Sequence, residues 1–426
     1  MRRSLSAILA TFLLLVLCPE TILADSAEVL PKGVFSLFSE AKFYLPVEKR
    51  FGPDGKTEDA AVDFNTNLNS SVFPDLKQLE AFFGMPTGSA SIGQSVVSFK
   101  YDFTIVDTYL LYGITDRLTV GVKIPYWWVK NTVNANLDTT RSTVGKNAAL
   151  ATLTPLAVPG TVPLITEDVE ALLGKGLDVN GDGTVDIPGL GYKRFGTYKN
   201  NGLADIEAGA KYQYLSTDKW RLAFTGGLRF PTGKVDDPDN LVDYPLGSGA
   251  YAFLFRSHND YIGIKNLVLD LTLKYDLVLS HNETMRIISD PNQPIADVKE
   301  DLSINPGDVF ELEASGSYNF GKGFTLTALY KYGKSWKDSV KGSGGHIDGL
   351  EEETNYTEQV FEAYLGYTTM PLFLEKKFPL PLNAFIGYRN RFAGSNNVLK
   401  SQYISFGLQF FFAPRPPTTL PAPPTQ

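Results

Sequence analysis

The sequence predicts an all-β fold, an antiparallel up-and-down transmembrane β-barrel of about twelve strands with short periplasmic turns and long extracellular loops. Three observations predict it. Apolar residues recur at every second position along the chain. No apolar run beyond the first residues is long enough to cross a bilayer as a helix. Short and long links alternate between the strand-like stretches.

The chain opens on an export signal. Met1, Arg2 and Arg3 give a positive start, Leu5 to Leu17 is almost wholly apolar, and Ala24 precedes a polar stretch from Asp25. This is the layout of a secretory signal peptide over residues 1–24, with cleavage expected after Ala24. Cys18 follows Leu17 where a lipoprotein signal wants a small residue, and Arg2-Arg3 sit too close to the start for a twin-arginine signal. Cys18 is the only cysteine, so residues 25–426 offer no disulfide, thiolate nucleophile or cysteine metal site. The formal charge of −8, with no basic block, argues against nucleic acid as a partner.

Strands are expected near 34–45, 95–114, 117–129, 203–215, 220–231, 248–257, 267–279, 309–319, 324–332, 358–368, 382–392 and 401–412. The stretch 267–279 is the plainest: Leu267, Leu269, Leu271, Leu273, Tyr275, Leu277 and Leu279 share one face, and Asp270, Thr272, Lys274 and Asp276 share the other. The links at Thr115-Asp116, Ser216–Lys219 and Phe320–Gly323 are short, as periplasmic turns should be. Those after strands one, three, seven and nine are long and rich in Gly, Asp, Asn and Pro. The longest, near 130–202, exceeds an ordinary structureless link and is expected to fold over the mouth. Pro74 to Gly84, in the first outer loop, is the best helical segment. Tyr126, Trp127 and Trp128 at outer strand ends, and Tyr212, Tyr214, Trp220, Tyr318, Phe320 and Phe324 at periplasmic ends, suit aromatic girdles at headgroup depth. The last strand, ending in Phe412, resembles the C-terminal strand recognised by barrel-assembly machinery. Residues 25–412 would form the barrel, and the Pro- and Thr-rich residues 413–426 a disordered periplasmic tail.

Three segments carry a family resemblance: YGITDRLTVGVKIPY (Tyr112–Tyr126), GLADIEAGAKYQY (Gly202–Tyr214) and LAFTGGLRFPTGK (Leu222–Lys234). They resemble the outer-membrane family named for the meta-pathway of phenol degradation. Ile114 stands where members carry Leu, and Ala204 where they carry a second Gly. The resemblance implies a barrel that moves hydrophobic or aromatic compounds across the outer membrane. The motif residues themselves read as turn and strand-end residues.

Two constellations are candidates for function. Asp178, Asn180, Asp182, Gly183, Thr184 and Asp186 follow the first part of a calcium loop, with oxygens at alternate positions and a glycine for the sharp turn. Gly189 stands where an EF-hand has its closing glutamate, so the motif is either a free-standing Ca²⁺ turn or an acidic solvent loop; no other cofactor is called for. The second constellation is the polar strand face. Lys100, Asp102, Lys123, Glu207, Lys211, Arg221, Arg229, Asp270, Lys274, Asp276, Glu311, Glu313, Lys331, Glu362, Arg389 and Arg391 are expected to line the lumen. There they would cross-link strands, select ions, or both.

An enzyme is not expected. The three histidines are His258, at an expected periplasmic turn, His281, at an outer strand end, and His346, in a Gly-rich stretch. Ser257-His258 and Ser280-His281 are neighbours on strands, whose side chains point to opposite faces. The expected function is a passive outer-membrane channel for small solutes, aromatic or hydrophobic ones included. The alternatives are a non-transporting surface barrel whose calcium-rigidified loops bind a partner and, less favoured, a rim hydrolase. Expected partners are outer-membrane lipid and lipopolysaccharide, the barrel-assembly machinery and the solute.

Overall fold

Closure of the sheet on itself is the first feature of the computed structural model, which describes residues 26–74, 76–143, 165–178, 181–289, 295–344 and 347–412. Strand β1 (Phe35–Tyr44) pairs with β2 (Ser91–Thr115) on one side and with the final strand, β12 (Gln402–Phe412), on the other. Phe35 lies opposite Phe412, and Tyr44 opposite Tyr403. Between them run β3 (Leu118–Asp138), β4 (Ile206–Ser216), β5 (Trp220–Phe230), β6 (Ala252–Ile264), β7 (Leu267–Val278), β8 (Val309–Gly321), β9 (Phe324–Ser335), β10 (Tyr356–Thr368) and β11 (Leu382–Gly394). Each pairs antiparallel with its neighbours, so twelve strands form a barrel without an edge. The expected signal peptide and Pro-rich tail lie outside the described residues.

The burial pattern is inverted relative to a water-soluble sheet. On β7, Leu269, Leu271 and Leu273 are about two-fifths exposed, at 42, 42 and 38%, whereas Asp270, Thr272 and Asp276 are buried at 6, 0 and 7%. β9, β11 and β12 repeat this with Leu326, Ile386, Ile404, Phe406 and Leu408 outward, and Thr325, Thr327, Asn383 and Ser405 inward. Apolar surface left outside in this order is stable only against lipid. Trp220 with Tyr261, Tyr318 with Phe320, and Phe324 with Tyr367 form ring pairs at the end with the short turns.

The barrel carries its apolar cores elsewhere. β2 and β3 continue past the other strands as a long hairpin, paired out to Gln94 opposite Asp138. Ala60, Ala61, Val97, Phe99, Phe195 and Val242 cluster there. Leu68, Leu76, Ala90 and Ile92 form a second cluster around helix α1 (Leu76–Phe83), where the sequence places a helix. A third, of Ile287, Leu302, Ile304 and Val340, belongs to a separate three-stranded sheet of His281–Ile287, Val298–Asn305 and Ser339–Lys341. These loop cores stand in water, so there the apolar faces turn inward.

Several boundaries differ from the alternation: β3 runs to Asp138 rather than 129, along the long hairpin, and two others have a local cause. β6 runs to Ile264, seven residues beyond its expected end, because Phe253, Phe255 and Tyr261 face lipid on both sides of the polar stretch Ser257–Asp260. The strand entering β4 starts at Tyr198 (Tyr198–Leu203) and is broken at Ala204-Asp205, beside Pro125. Pro125 has no N–H to donate, and its carbonyl instead accepts Ala204 N at 3.0 Å.

Small residues inside the wall make room for rings. A methyl added at Gly407 would overlap the Phe385 ring, and one at Gly387 would overlap Tyr364. Gly407→Ala is expected to destabilise the barrel by about 1–3 kcal/mol through overpacking, measured as a lower urea midpoint in lipid vesicles, while Gly226→Ala, whose nearest neighbour is a ring atom at 3.8 Å, shifts it little.

Candidate functional site

The lumen is ringed by charges whose pairing follows from register. Side chains directly opposite on antiparallel strands sit about 5 Å apart, within reach of Lys, Arg and Glu. Lys42 of β1 meets Asp107 of β2 at 2.6 Å. Lys123 of β3 stands opposite Glu207 of β4. Glu207 takes Arg229 of β5 at 3.0 Å, and Arg229 also reaches Asp276 of β7 at 2.7 Å, where Arg256 of β6 joins at 2.5 Å. Lys274 bonds Glu313 of β8 at 2.8 Å. Lys331 of β9 links Glu311 at 2.7 Å to Glu358 of β10 at 2.9 Å. Arg391 of β11 meets Glu358 at 2.7 Å, and Arg389 meets Glu362 at 3.0 Å. On β12 the Tyr403 ring closes the circuit, with Arg389 5.5 Å and Lys42 6.0 Å from its centroid.

Towards the periplasmic end a second polar layer lies on β3–β7. Arg221 pairs with Asp260 at 2.9 Å and with Glu28, a residue ahead of β1. His258 Nε2 is 2.9 Å from Thr225 Oγ1, and its Nδ1 is 3.3 Å from Thr272 Oγ1, which donates to Asp270. His258 therefore sits inside the wall, 1% exposed, and not at a turn; the longer β6 carries it there. The facing wall is apolar: Phe38 stacks on Tyr109 at 5.2 Å and lies 6.0 Å from Phe385. Leu111, Phe411 and the short helix α2 (Met370–Leu374) extend this patch. A cavity of about 850 Å³ separates the two walls.

The outer mouth is capped by the loop joining β5 to β6. Its Tyr244 sits among Tyr101, Phe103 and Trp127, at ring distances of 6.0, 4.9 and 6.4 Å. Asp205, at the break entering β4, anchors this loop by accepting Gly233 N, Ser248 N and Ser248 Oγ at 3.0, 2.8 and 2.8 Å. Thr232 donates to Ala204 O and accepts Ile206 N. The motif residues of GLADIE and PTGK thus meet and fix the cap. Arg286 ties the cap to two other loops: it donates to Asp239 and to Leu190 O, and lies 4.0 Å over the Tyr192 ring.

Fourteen of the sixteen expected lumen charges face inward, in the ring or the layer below it. Lys100 and Asp102 do not. Phe99, Tyr101 and Phe103 take the inward positions there and pack on the loops, leaving Lys100 and Asp102 on the outer face above the lipid belt. Trp127 is corrected in the same way: it points at Tyr244, while Tyr126 and Trp128 pair outside at 4.5 Å. Glu40, Lys42, Arg256 and Glu358 also belong to the ring, each with the parity of its strand's polar face, whereas Asp107 joins it from the face that Phe99 and Phe103 occupy above the rim, so alternation alone does not mark it.

In the calcium-like turn, Asp178 accepts Gly181 N and Gly183 N, and Asp182 accepts Thr184 N at 2.8 Å. The pairing of Leu177 with Ile187 closes the turn below Asp186. Asn180 lies outside the described residues. His281 is 3.1 Å from Glu283, and Ser280 donates to Asn305 at 2.9 Å instead of to His281. His346 is outside the described residues.

A family model described as "Putative MetA-pathway of phenol degradation" matches residues 66–368. Among solved structures, the COG4313 outer membrane channel from Pseudomonas putida F1 shares the fold at a TM-score of 0.52 and 12% identity, over 92% of this chain and 100% of that one. The beta domain of the Bordetella autotransporter BrkA aligns at 0.40 with 9% identity, over 89% of this chain and 100% of that one. A Pseudomonas aeruginosa FadL homologue aligns at 0.32 with 11% identity, over 89% of each chain. No curated protein matches the chain.

Two measurements probe this site. Arg229→Met and Asp276→Asn, alone and together, should show a coupling of about 1–2 kcal/mol in vesicle unfolding; additive losses would show that the ring is decorative. In the cap, burial and the neighbouring Asp236 carboxyl push Asp243 up from 3.8 to about 7. The docked loop therefore favours protonated Asp243, and docking weakens as pH rises from 3.8 to about 7, then levels off. Hydrogen exchange across Val242–Leu246, corrected for intrinsic rates, should show that loss, and Asp243→Asn should flatten it.

Proposed function

We propose that this chain, which belongs to the family described as "Putative MetA-pathway of phenol degradation", is a passive outer-membrane channel for small solutes. The observation that carries the reading is the polar lumen: a closed barrel with an apolar exterior encloses a charge-ringed cavity of about 850 Å³. A barrel that served only as an anchor would have no need of a cavity of that size. The wall of Phe38, Tyr109, Phe385 and Phe411 gives an apolar solute, an aromatic one included, a surface to slide along opposite the ion pairs. Shape, charge and loop gating would do the work, with no covalent step.

In this reading the aliphatic belt meets outer-membrane lipid and lipopolysaccharide, and β12, ending in Phe412, is the strand the barrel-assembly machinery takes. The outer loops would set the sign of selectivity. The β5–β6 loop carries Asp236, Asp237, Asp239 and Asp243 against Lys234, and the β7–β8 loop carries Glu283, Asp297, Glu300, Asp301 and Asp308 against Arg286 and Lys299. An acidic mouth concentrates cations and repels anions.

Refolded into a planar bilayer, the protein is expected to give discrete conductance steps and, in a KCl gradient, a reversal potential that favours K⁺ over Cl⁻. The preference should fall as salt is raised, because the loop charges are screened over about 10 Å at 0.1 M. Anion preference would overturn the charge assignment, and a folded protein that stays silent even without residues 26–30 would overturn the channel. Calcium added to the outer side tests whether the Asp178–Asp186 turn holds that metal.

A further inference from the structure

The chain ahead of β1 runs inside the barrel it is about to build. Ser26 and Ala27 are 6 and 0% exposed. Ser26 Oγ donates to Asp260 Oδ2 at 3.0 Å, and Ala27 N donates to Asp260 Oδ1 at 2.9 Å. The carbonyls of Ser26 and Ala27 accept Lys211 Nζ at 2.7 Å and Gln213 Nε2 at 3.0 Å. Glu28 pairs with Arg221, and Leu30 N donates to Thr119 Oγ1 at 2.7 Å. Only at Gly33, whose N–H donates to Gly113 O at 2.8 Å, does the chain join the backbone of the wall.

We propose that the wall formed by Thr119, Lys211, Gln213, Arg221 and Asp260 is a peptide-binding strip whose occupant, Ser26–Leu30, is a removable plug of the periplasmic exit. The proposal rests on the channel reading above. Four adjacent strands, β3 to β6, supply the strip, and its side chains answer the segment's chemistry: acceptors for the N–H groups of Ala27 and Leu30, donors for the carbonyls of Ser26 and Ala27, and a guanidinium for the Glu28 carboxylate. The segment belongs to no strand. A strand is fixed by a ladder of mutually supporting backbone bonds, whereas these are separate side-chain bonds that water in a polar lumen can replace one at a time. On the lumen side of the segment, Gly121, Gly209 and Gly227 stand opposite one another on β3, β4 and β5. They leave a wall without side chains at that level, so the cavity continues down to the plug. Val29 and Leu30 then face Leu111, Phe411 and α2 across the lower cavity. Withdrawal of the segment would open that cavity to the periplasm.

Residues 25–426 contain no cysteine, so a single engineered pair can lock the segment. Ser26→Cys with Asp260→Cys is suited, since the native side-chain oxygens are 3.0 Å apart. Disulfide formation is checked by mass, and unit conductance is recorded in the bilayer before and after dithiothreitol. The oxidised protein is expected to conduct at least fivefold less than the same protein reduced, and a chain lacking Ser26–Leu30 at least twofold more than the intact one. A formed disulfide that leaves conductance unchanged overturns the plug, whatever the deletion does. If the intact, reduced and deleted proteins are all folded and all silent, the channel reading falls and the plug falls with it.

Discussion

Hydrocarbon offers a backbone N–H no partner except another peptide, and this constraint decides the rest of the molecule. It forces β12 back onto β1, with Phe412 opposite Phe35. Once the sheet is closed, side chains have only two directions, lipid or lumen, and their two-residue period sorts them. Leucines go to lipid and aspartates go in. Polar side chains gathered on the inside of a narrow cylinder must then satisfy one another. The ion-pair ring from Lys42 round to Tyr403 follows from closure as much as from any need to select ions. Such pairs stabilise only modestly in a hydrated lumen, but leaving one charge without its neighbour is costly. The circuit therefore also specifies register.

Period two is a strong signal, so all twelve strands were legible in the residues, as were most of the lumen charges. What alternation does not reveal is which medium each face meets. Below the rim the apolar face of β2 looks outward; above it Phe99, Tyr101 and Phe103 look inward onto loops. Reading Lys100 and Asp102 as lumen residues carried the lipid rule past the lipid. Trp127 follows the same rule: its alternation suits a girdle, but above the lipid it packs on Tyr244. His258 reads as a turn residue because Ser257–Asp260 is polar on both faces, which resembles a loop when the neighbouring strands are unseen. The segment Ser26–Leu30 has no pattern of its own: its place in the lumen comes from Asp260, Arg221 and Lys211, all distant in the chain.

The family motifs gain a physical account from the loops. Asp205 and the Pro231–Gly233 strand end meet at the break entering β4, and together they hold the loop that puts Tyr244 into the mouth. Arg286 ties that loop to its neighbours through Asp239, Leu190 and Tyr192. The cap is thus built like a small water-soluble domain, with its own apolar clusters, standing on a hairpin whose lower half is a membrane wall.

That shared hairpin gives the chain two substitution grammars along single strands. Asp102 faces outward without penalty, whereas six residues later on the same strand and the same face Thr108 lies in the lipid belt, where an arginine or lysine near the midplane would cost about 2–4 kcal/mol. Inward, the order reverses: Phe103 belongs where it packs on Tyr244, and Asp107, four residues on, belongs where Lys42 can reach it. Sequence drift in this chain should therefore change character within one turn of the barrel wall. Outward positions should tolerate almost anything polar above the rim and almost nothing polar below it, so that the water–lipid boundary would be readable from tolerated substitutions alone.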